Sequence, residues 1–406
     1  MQKAHEYFVG LDIGTSKVRC VIGVLDQDSS HAQLSVVGVG SAPNHGMRKG
    51  VIVHAEEVSN AISSSIEEAE RLSGIHIKNA TVLVNGAHIT SQSSRGVVAI
   101  SGAGRQITDE DRMRVEEAAT VIQMPANREI VQIFAKNYRI DGQDNIKDPV
   151  GMQGVRLEVD ALIISASTPI LRSLDQALEQ AGIHAQNRVV AGLASAEAVL
   201  DGAQKESGTA IVDIGSGTTN IAIIEEGEIE HVAVLPVGSQ HITNDLAIGL
   251  KTDLETAEKV KRKFARLDDT ESTPDSKEPD HGFDKDLIHV IVESRVEEIL
   301  ELIEKEFSRV KKSKKLPGGV VLVGGGSQLP GLAEFAKHKL ELPVKVGAVK
   351  GVSGLQDTVS SPEYATATGL MLLDALLDGG DSMSKKSDSR KSSSSLFGKI
   401  KKVLRS

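Results

Sequence analysis

The sequence echoes itself once across half its length. GLDIGTSKV at Gly10–Val18 and IVDIGSGTT at Ile211–Thr219 superimpose at one constant offset of 201 residues, with Asp12 on Asp213, Gly14 on Gly215 and Thr15 on Ser216. Each copy is an apolar strand, an aspartate, a glycine turn with small hydroxyl residues, and a second apolar strand (Val18–Leu25 and Asn220–Ile224). So long a period is not that of a repeat array. It predicts two similar domains, each offering a β-hairpin turn to a shared cleft. A chain of 406 residues has room for about two to four domains.

Elsewhere the chain alternates β-branched runs (Thr81–Val84, Ala161–Ser165, Ala210–Ile214, Gly319–Val323) with amphipathic ones (Ala55–Ser73, Asp109–Ile122, Ile170–Ala181, Lys285–Val310). That alternation predicts an α/β fold whose principal sheets are covered by helices. Asp268–Gly282, acidic and twice broken by Pro, reads as a surface loop. Gly379–Ser395, Ser-rich and free of aromatics, reads as a disordered linker.

A Gly/Ser/Thr turn after a strand exposes amides and hydroxyls that can wrap phosphate oxygens. An aspartate at the strand end would repel those phosphates unless a cation lies between. Asp12 and Asp213 are therefore candidate Mg²⁺ holders, through waters, because Mg²⁺ surrenders them reluctantly. Lys17 can reach a β- or γ-phosphate as a point charge. Either turn alone is compatible with ordinary hairpin chemistry; the pair points to a nucleotide. A third element, the strand Val320–Val323 followed by Gly324-Gly325-Gly326-Ser327 and a helix from near Pro330, lets a base or ribose lie against bare backbone. No GxxxxGK[ST] occurs, and Gly38 and Gly40 open a dinucleotide fingerprint that Pro43 breaks.

Composition removes other classes. The net charge is −10 and only ten residues are aromatic, none of them Trp, which speaks against a nucleic-acid surface. The single cysteine, Cys20, makes neither an intrachain disulfide nor a thiolate metal site, and reads as a core residue. No run of eighteen apolar residues spans a bilayer. The N-terminus goes straight into a strand-like run without a signal region, which predicts a cytoplasmic protein.

Two DxG hairpins in opposite halves plus a late GGGS resemble the actin, hexokinase and seventy-kilodalton heat-shock ATPase superfamily. Within it, the chain resembles the FtsA family of bacterial cell-division proteins. VNGAHITSQSSRGVVAIS (Val84–Ser101), with its GHI-type motif, and IKDPVGMQGVRLEVDALI (Ile146–Ile163), with its DPVG, are similar to that family's extra subdomain. AGLASAEAVL, VGSQHITNDLAIGLKTDLETAEKVK and YATATGLMLL are similar to its connecting helices and nucleotide-side subdomain.

The resemblance implies a duplicated actin-like ATPase fold around a nucleotide cleft. Its first domain takes residues 1–84, 165–200 and 355–378, with an inserted subdomain at 85–164. Its second domain takes 201–237 and 297–354, with a further subdomain at 238–296. ATP and Mg²⁺ are the implied ligands. Asp12, Gly14, Thr15, Ser16 and Lys17 fall in the first phosphate loop. Asp213, Gly215, Ser216, Gly217 and Thr218 fall in the second, with Gly324, Gly325, Gly326 and Ser327 beside adenosine. Glu258 and Lys261, one helical turn apart, would flank the ribose; a solvated ion pair is the other reading. Ser216 departs from the DIGGG of many relatives. Glu197 falls where some superfamily ATPases activate water, although a helical surface charge accounts for it better. The resemblance implies at most slow hydrolysis.

Lys385–Ser406 carries eight basic residues and one acidic, a net of +7 that leaves −17 on the rest. Ser395 is the predicted N-cap of LFGKIKKVLRS, 396–406. On a helix Leu396, Phe397, Ile400, Val403 and Leu404 share an arc of about 120°, and Lys399, Lys401, Lys402 and Arg405 take the other side. A basic amphipathic segment after a flexible linker reads as an interfacial anchor on an anionic membrane; a partner-docking helix or a frayed cationic end are the rivals. The cations contribute about 1 kcal/mol each, so one tail binds weakly and clustered tails bind strongly. The reading is then a peripheral protein on the cytoplasmic face of the membrane at the division site. It joins the tubulin-like division protein FtsZ to that membrane through 238–296, self-associates into filaments, and meets other division proteins through the insert. A pilus-assembly adaptor, a small-molecule kinase and a chaperone ATPase are the alternatives. The kinase lacks an identifiable substrate-side aspartate and the chaperone a substrate-binding domain. The insert and tail argue against the pilus adaptor.

Overall fold

A computed structural model describes residues 7–26, 33–100, 102, 105–268 and 282–378. The linker 379–395, the anchor 396–406 and the interior of the loop Asp268–Gly282 lie outside them.

The duplication extends well beyond the two turns. In the first sheet the hairpin Tyr7–Ile13/Lys17–Asp26 is followed by antiparallel Gln33–Pro43. On its other side it is flanked by parallel Asn79–Val84 and then His184–Val190. In the second sheet Thr209–Ile214/Thr219–Glu225 is followed by antiparallel Glu228–Leu235 and flanked by parallel Gly319–Val323 and Val344–Val346. The order is the same in both. The central strands TAIVDI and GVVLV are buried along their whole length, as continuous apolar runs covered on both faces must be. One boundary differs from expectation. Val352–Gly354, assigned to the second domain, pairs with Leu34–Val36 as the edge of the first sheet.

The helix Ala55–Ser73 covers the first sheet and ends on Gly74 in the left-handed conformation. It lies so close to Gln33–Pro43 that a Cβ on Gly38 or Gly40 would sit 2.6 Å from the Ala69 carbonyl or 1.8 Å from that of Ser65. Those glycines therefore serve helix packing, which accounts for the broken fingerprint.

The helices Ala191–Val199 and Ala365–Asp378 close the two repeats and cross each other, each reaching the other repeat's sheet. A Cβ on Gly369 would lie 1.7 Å from the Ala194 carbonyl oxygen, and one on Gly10 would lie 2.1 Å from that of Ala367. The last helix is also clamped by a buried carboxylate. Asp374 accepts from the Val9 amide at 2.9 Å and from the Thr81 hydroxyl at 2.5 Å.

The insert is a four-stranded antiparallel sheet in the order Thr90–Ala99, Arg156–Ser167, Arg128–Ile140, Gln143–Ile146, covered by the helix Asp109–Thr120. Val115, Tyr138, Leu157 and Val159 give it a core of its own. It also docks on the second domain's edge strand. Lys136 pairs with Glu230 at 2.6 Å, and the Ser91 hydroxyl donates to the Val232 carbonyl at 2.7 Å.

Candidate nucleotide site

Both hairpin turns close in the same way. The Gly14 amide donates to the Lys17 carbonyl at 3.1 Å, and the Gly215 amide donates to the Thr218 carbonyl at 2.9 Å. They meet across the interdomain cleft, where a Cβ on Gly217 would lie 2.8 Å from Thr15 Cγ2. A cavity of about 750 Å³ opens beside them, within the size range of ligand pockets. Its walls include Asp12, Gly14, Thr15, Ser16 and Lys17 from the first turn and Asp213, Gly215, Ser216 and Thr218 from the second. Gly324, Gly325, Gly326, Glu258 and Lys261 also line it.

Two expected members stand back from the wall. Gly217 faces Thr15, and buried Ser327 donates its hydroxyl to the Gly324 carbonyl at 2.7 Å, holding the glycine turn. That turn is a short 3-10 helix, Gly325–Gln328, and the following α-helix runs Leu332–Leu340 rather than from Pro330. Glu197 is not brought to the cavity. It pairs with Lys205 at 3.0 Å, away from the phosphate turns, because Ala191–Val199 turns that face toward the short helix Gly202–Ser207.

The two aspartates are buried at the cavity floor. Burial pushes Asp12 up to about 7; Arg19 draws it down and Asp213 raises it further. Burial also raises Asp213, against the Thr366 hydroxyl, Arg19 and Ser195. Thr366 donates to Asp213 at 2.8 Å and lies 2.8 Å from the Ser195 hydroxyl, so both crossing helices reach this carboxylate.

Two buried carboxylates facing each other fit a hydrated divalent cation, which keeps several waters and takes few protein ligands. Buried Asn220 lines the same cavity with an Oδ1 that has no hydrogen-bond partner among the described residues, an acceptor suited to such a water. Gly324, at φ +82°, leaves the room: a Cβ there would sit 2.2 Å from Asp213 Oδ1. Mg²⁺, when bound, would shield phosphate oxygens from the carboxylates.

At the opposite end, Glu258 pairs with Lys261 at 2.6 Å and accepts from the Thr243 hydroxyl at 2.6 Å. Lys261 in turn donates to Thr243 at 2.8 Å. Ser216 lies within reach of Gln240, 3.4 Å from Oγ to Oε1. Sequence reasoning missed Arg19, Asn85, Glu363 and Thr366, which all line the cavity. Arg19 pairs with Glu363 and lies 5.4 Å from the centre of the Tyr364 ring.

A family model described as "Cell division protein FtsA" matches residues 210–369, and one described as "SHS2 domain inserted in FTSA" matches 86–165. The chain is 36% identical over 378 residues to the cell division protein FtsA of Pseudomonas aeruginosa, covering 91% of this chain and 89% of that protein. It is 37% identical over 375 residues to that of Bacillus subtilis, covering 90% and 83%. Among solved structures it is similar to a PilM–PilN type IV pilus biogenesis complex, with a TM-score of 0.64 at 19% identity over 90% of this chain and 98% of that one. It is also similar to MreB5 of Spiroplasma citri bound to AMPPNP, with a TM-score of 0.53 at 14% identity over 94% and 99%. A MamK double helical filament gives a TM-score of 0.51 at 16% identity over 90% and 98%. These likenesses show an actin-like fold. Relatives sharing more than a third of their residues across nine-tenths of the chain, with the insert matched by its own model, show more: the chain belongs to the FtsA family of bacterial cell-division proteins.

Proposed function

We propose that this division protein is an ATP-binding adaptor that anchors the tubulin-like FtsZ to the inner face of the membrane, helps assemble the division machinery, and works as a self-associated layer. The paired buried aspartates behind two matching turns carry the nucleotide part. The similar MreB5 was solved with AMPPNP and the similar MamK as a filament. The basic amphipathic segment 396–406 carries the membrane part. Among the described residues no helix is long and apolar enough to cross a membrane.

The insert does not separate this chain from the pilus complex: a match covering 90% of this chain leaves too few residues outside it to omit the whole of 86–165. What separates them is sequence identity, 19% against 36% and 37%.

Within 238–296 the basic cluster Lys261, Arg262, Lys263 and Arg266 could meet an acidic partner segment, but part of it is committed elsewhere. Lys261 and Arg262 line the nucleotide cavity and share Glu258. The apolar side chains Ile248, Leu287 and Val290, 77%, 40% and 57% exposed, offer 238–296 a different surface for the filament partner. Ile248→Asp is expected to weaken co-sedimentation with the division filament more than Arg262→Ala; the reverse order would assign the interface to the charges instead.

Mg·ATP is expected to raise the melting temperature, by about 2.7 kcal/mol of stabilisation at a hundred times its dissociation constant. Asp12→Ala removes a carboxylate that burial disfavours, so it should leave the nucleotide-free protein as stable or more so while abolishing that gain. An unchanged wild-type melting temperature at millimolar Mg·ATP would sink the site.

A further inference from the structure

The GHI-type motif stands in this chain as Gly86-Ala87-His88-Ile89, and nothing in nucleotide binding accounts for it. It occupies the joint where the chain leaves the first domain for the insert. Asn85, just before it, lines the nucleotide cavity, and its side-chain amide donates to the Thr218 hydroxyl of the second phosphate turn at 3.1 Å. Its Oδ1 accepts from the Gly86 amide at 2.7 Å. The Asn85 carbonyl lies 3.0 Å from His88 Nε2, and His88 Nδ1 accepts from the Ser167 amide at 3.2 Å. Ser167 ends the strand by which the insert returns. With Nδ1 accepting, Nε2 carries the proton and donates to Asn85. Arg128, at the start of the insert's second long strand, donates to the His88 carbonyl at 2.8 Å and to the Ser165 carbonyl at 2.8 Å.

The packing there is as close as the bonding. Gly86 has φ +122°, and a Cβ on Gly50 would lie 2.8 Å from Gly86 Cα and 3.0 Å from Thr218 Cγ2. The Gly50 amide in turn donates to the Thr15 hydroxyl of the first phosphate turn at 3.2 Å. Both phosphate turns and both ends of the insert therefore share one small contact.

We propose that Asn85 and His88 are positioning residues that seat the inserted subdomain on the second phosphate turn, so that nucleotide in the cleft is read out as a change in the order of residues 86–165. The proposal rests on the nucleotide reading of the cavity. A ligand oxygen would accept the Thr218 hydroxyl proton while Asn85 donates to a lone pair of the same oxygen, so ligand and Asn85 would fix that hydroxyl together. Any shift of Asn85 moves its carbonyl, and with it the ring that pins Ser167. Spatial adjacency alone does not establish coupling, so the test measures coupling directly.

Hydrogen exchange is followed across residues 86–167 of the full chain with and without Mg·ATP, beside an independent thermal-shift measurement of binding. In wild type, nucleotide is expected to change exchange in Thr90–Ala99 and Arg156–Ser167 by about twofold to thirtyfold, the coupling such contacts carry. His88→Phe, outside the cavity, should bind nucleotide normally and lose that change. His88→Gln, whose amide can still donate to the Asn85 carbonyl, should recover it. Asn85→Asp keeps the acceptor for the Gly86 amide but not the donor for Thr218, and should lose it whatever its affinity; this variant decides the matter if His88→Phe does not fold. Binding without any exchange change in the insert, or a change that survives both His88→Phe and Asn85→Asp, overturns the proposal and leaves the nucleotide site standing. Absence of binding in wild type overturns the nucleotide reading, and this one with it.

Discussion

The glycine turn separates two roles that look identical in sequence. Gly324 takes φ +82° against Asp213 and Ile214, whereas a Cβ on Gly325 would meet nothing within 4 Å. Gly324→Ala is therefore expected to cost stability, about 1–3 kcal/mol from forced shifts in a packed site, which a lowered nucleotide-free melting temperature would report. Gly325→Val should fold normally and lose Mg·ATP stabilisation, because its side chain points into the cleft. Equal melting temperatures for the two variants would refute the distinction. The sequence showed that glycines were needed here but not which backbone was strained. Asp12 and Asp213 were legible because a hairpin turn is a local object. Arg19 had a signal that went unread: a turn at Gly14–Lys17 fixes the ladder so that Arg19 stands opposite Asp12. Glu363 and Thr366 had none, since they reach Arg19 and Asp213 across 344 and 153 positions.

At the scale of elements, periodicity located the covering helices to within a residue or two, because each buries one apolar face. Periodicity could not place Val352–Gly354, three residues whose strand character comes only from the neighbour they pair with. The seam between the insert and the second domain was equally invisible, and it carries a titratable group. Buried His231 lies 3.2 Å from the Ser91 hydroxyl and 2.9 Å from Glu306. Burial holds it below the ordinary 6.5, against the pull of Glu306. Its contribution is therefore complete above the unfolded value and is lost as pH falls through the folded one. His88 and His241 are displaced in the same direction, also by burial. On acidification below about 6.5 the three histidines lower stability, while Asp12 and Asp213, raised by burial, add to it as they take up protons; His231→Gln should remove one of the downward contributions. An unaltered slope in thermal melts from pH 7 downward would show that the seam opens without needing this ring neutral.

On the scale of the whole molecule, the described residues end at Asp378 and hold three hydrophobic cores. Truncation there should leave melting and Mg·ATP binding intact while abolishing binding to anionic vesicles. Phe397→Glu should do nearly as much by placing a charge in the buried face. Lys401→Gln should cost only about 1 kcal/mol and reduce the salt sensitivity. Vesicle flotation at two salt concentrations separates the variants, and a truncated protein that still floats would refute the anchor. In the proposed anchored state the linker expected at 379–395 would span on the order of 20–25 Å as a flexible coil, so the body would stay near the membrane without a fixed orientation. The clamp on the last helix then acquires a mechanical meaning. Thr366 holds Asp213 at one end of that helix, and Asp374 grips Val9 and Thr81 at the other, about 12 Å away at 1.5 Å per residue. In the proposed anchored state, tension from a constricting membrane would enter at the Asp374 end, meet that grip first and pass into the central strands of the first sheet, and the Thr366 end, where the nucleotide cleft begins, would be the last part of the helix to feel the load.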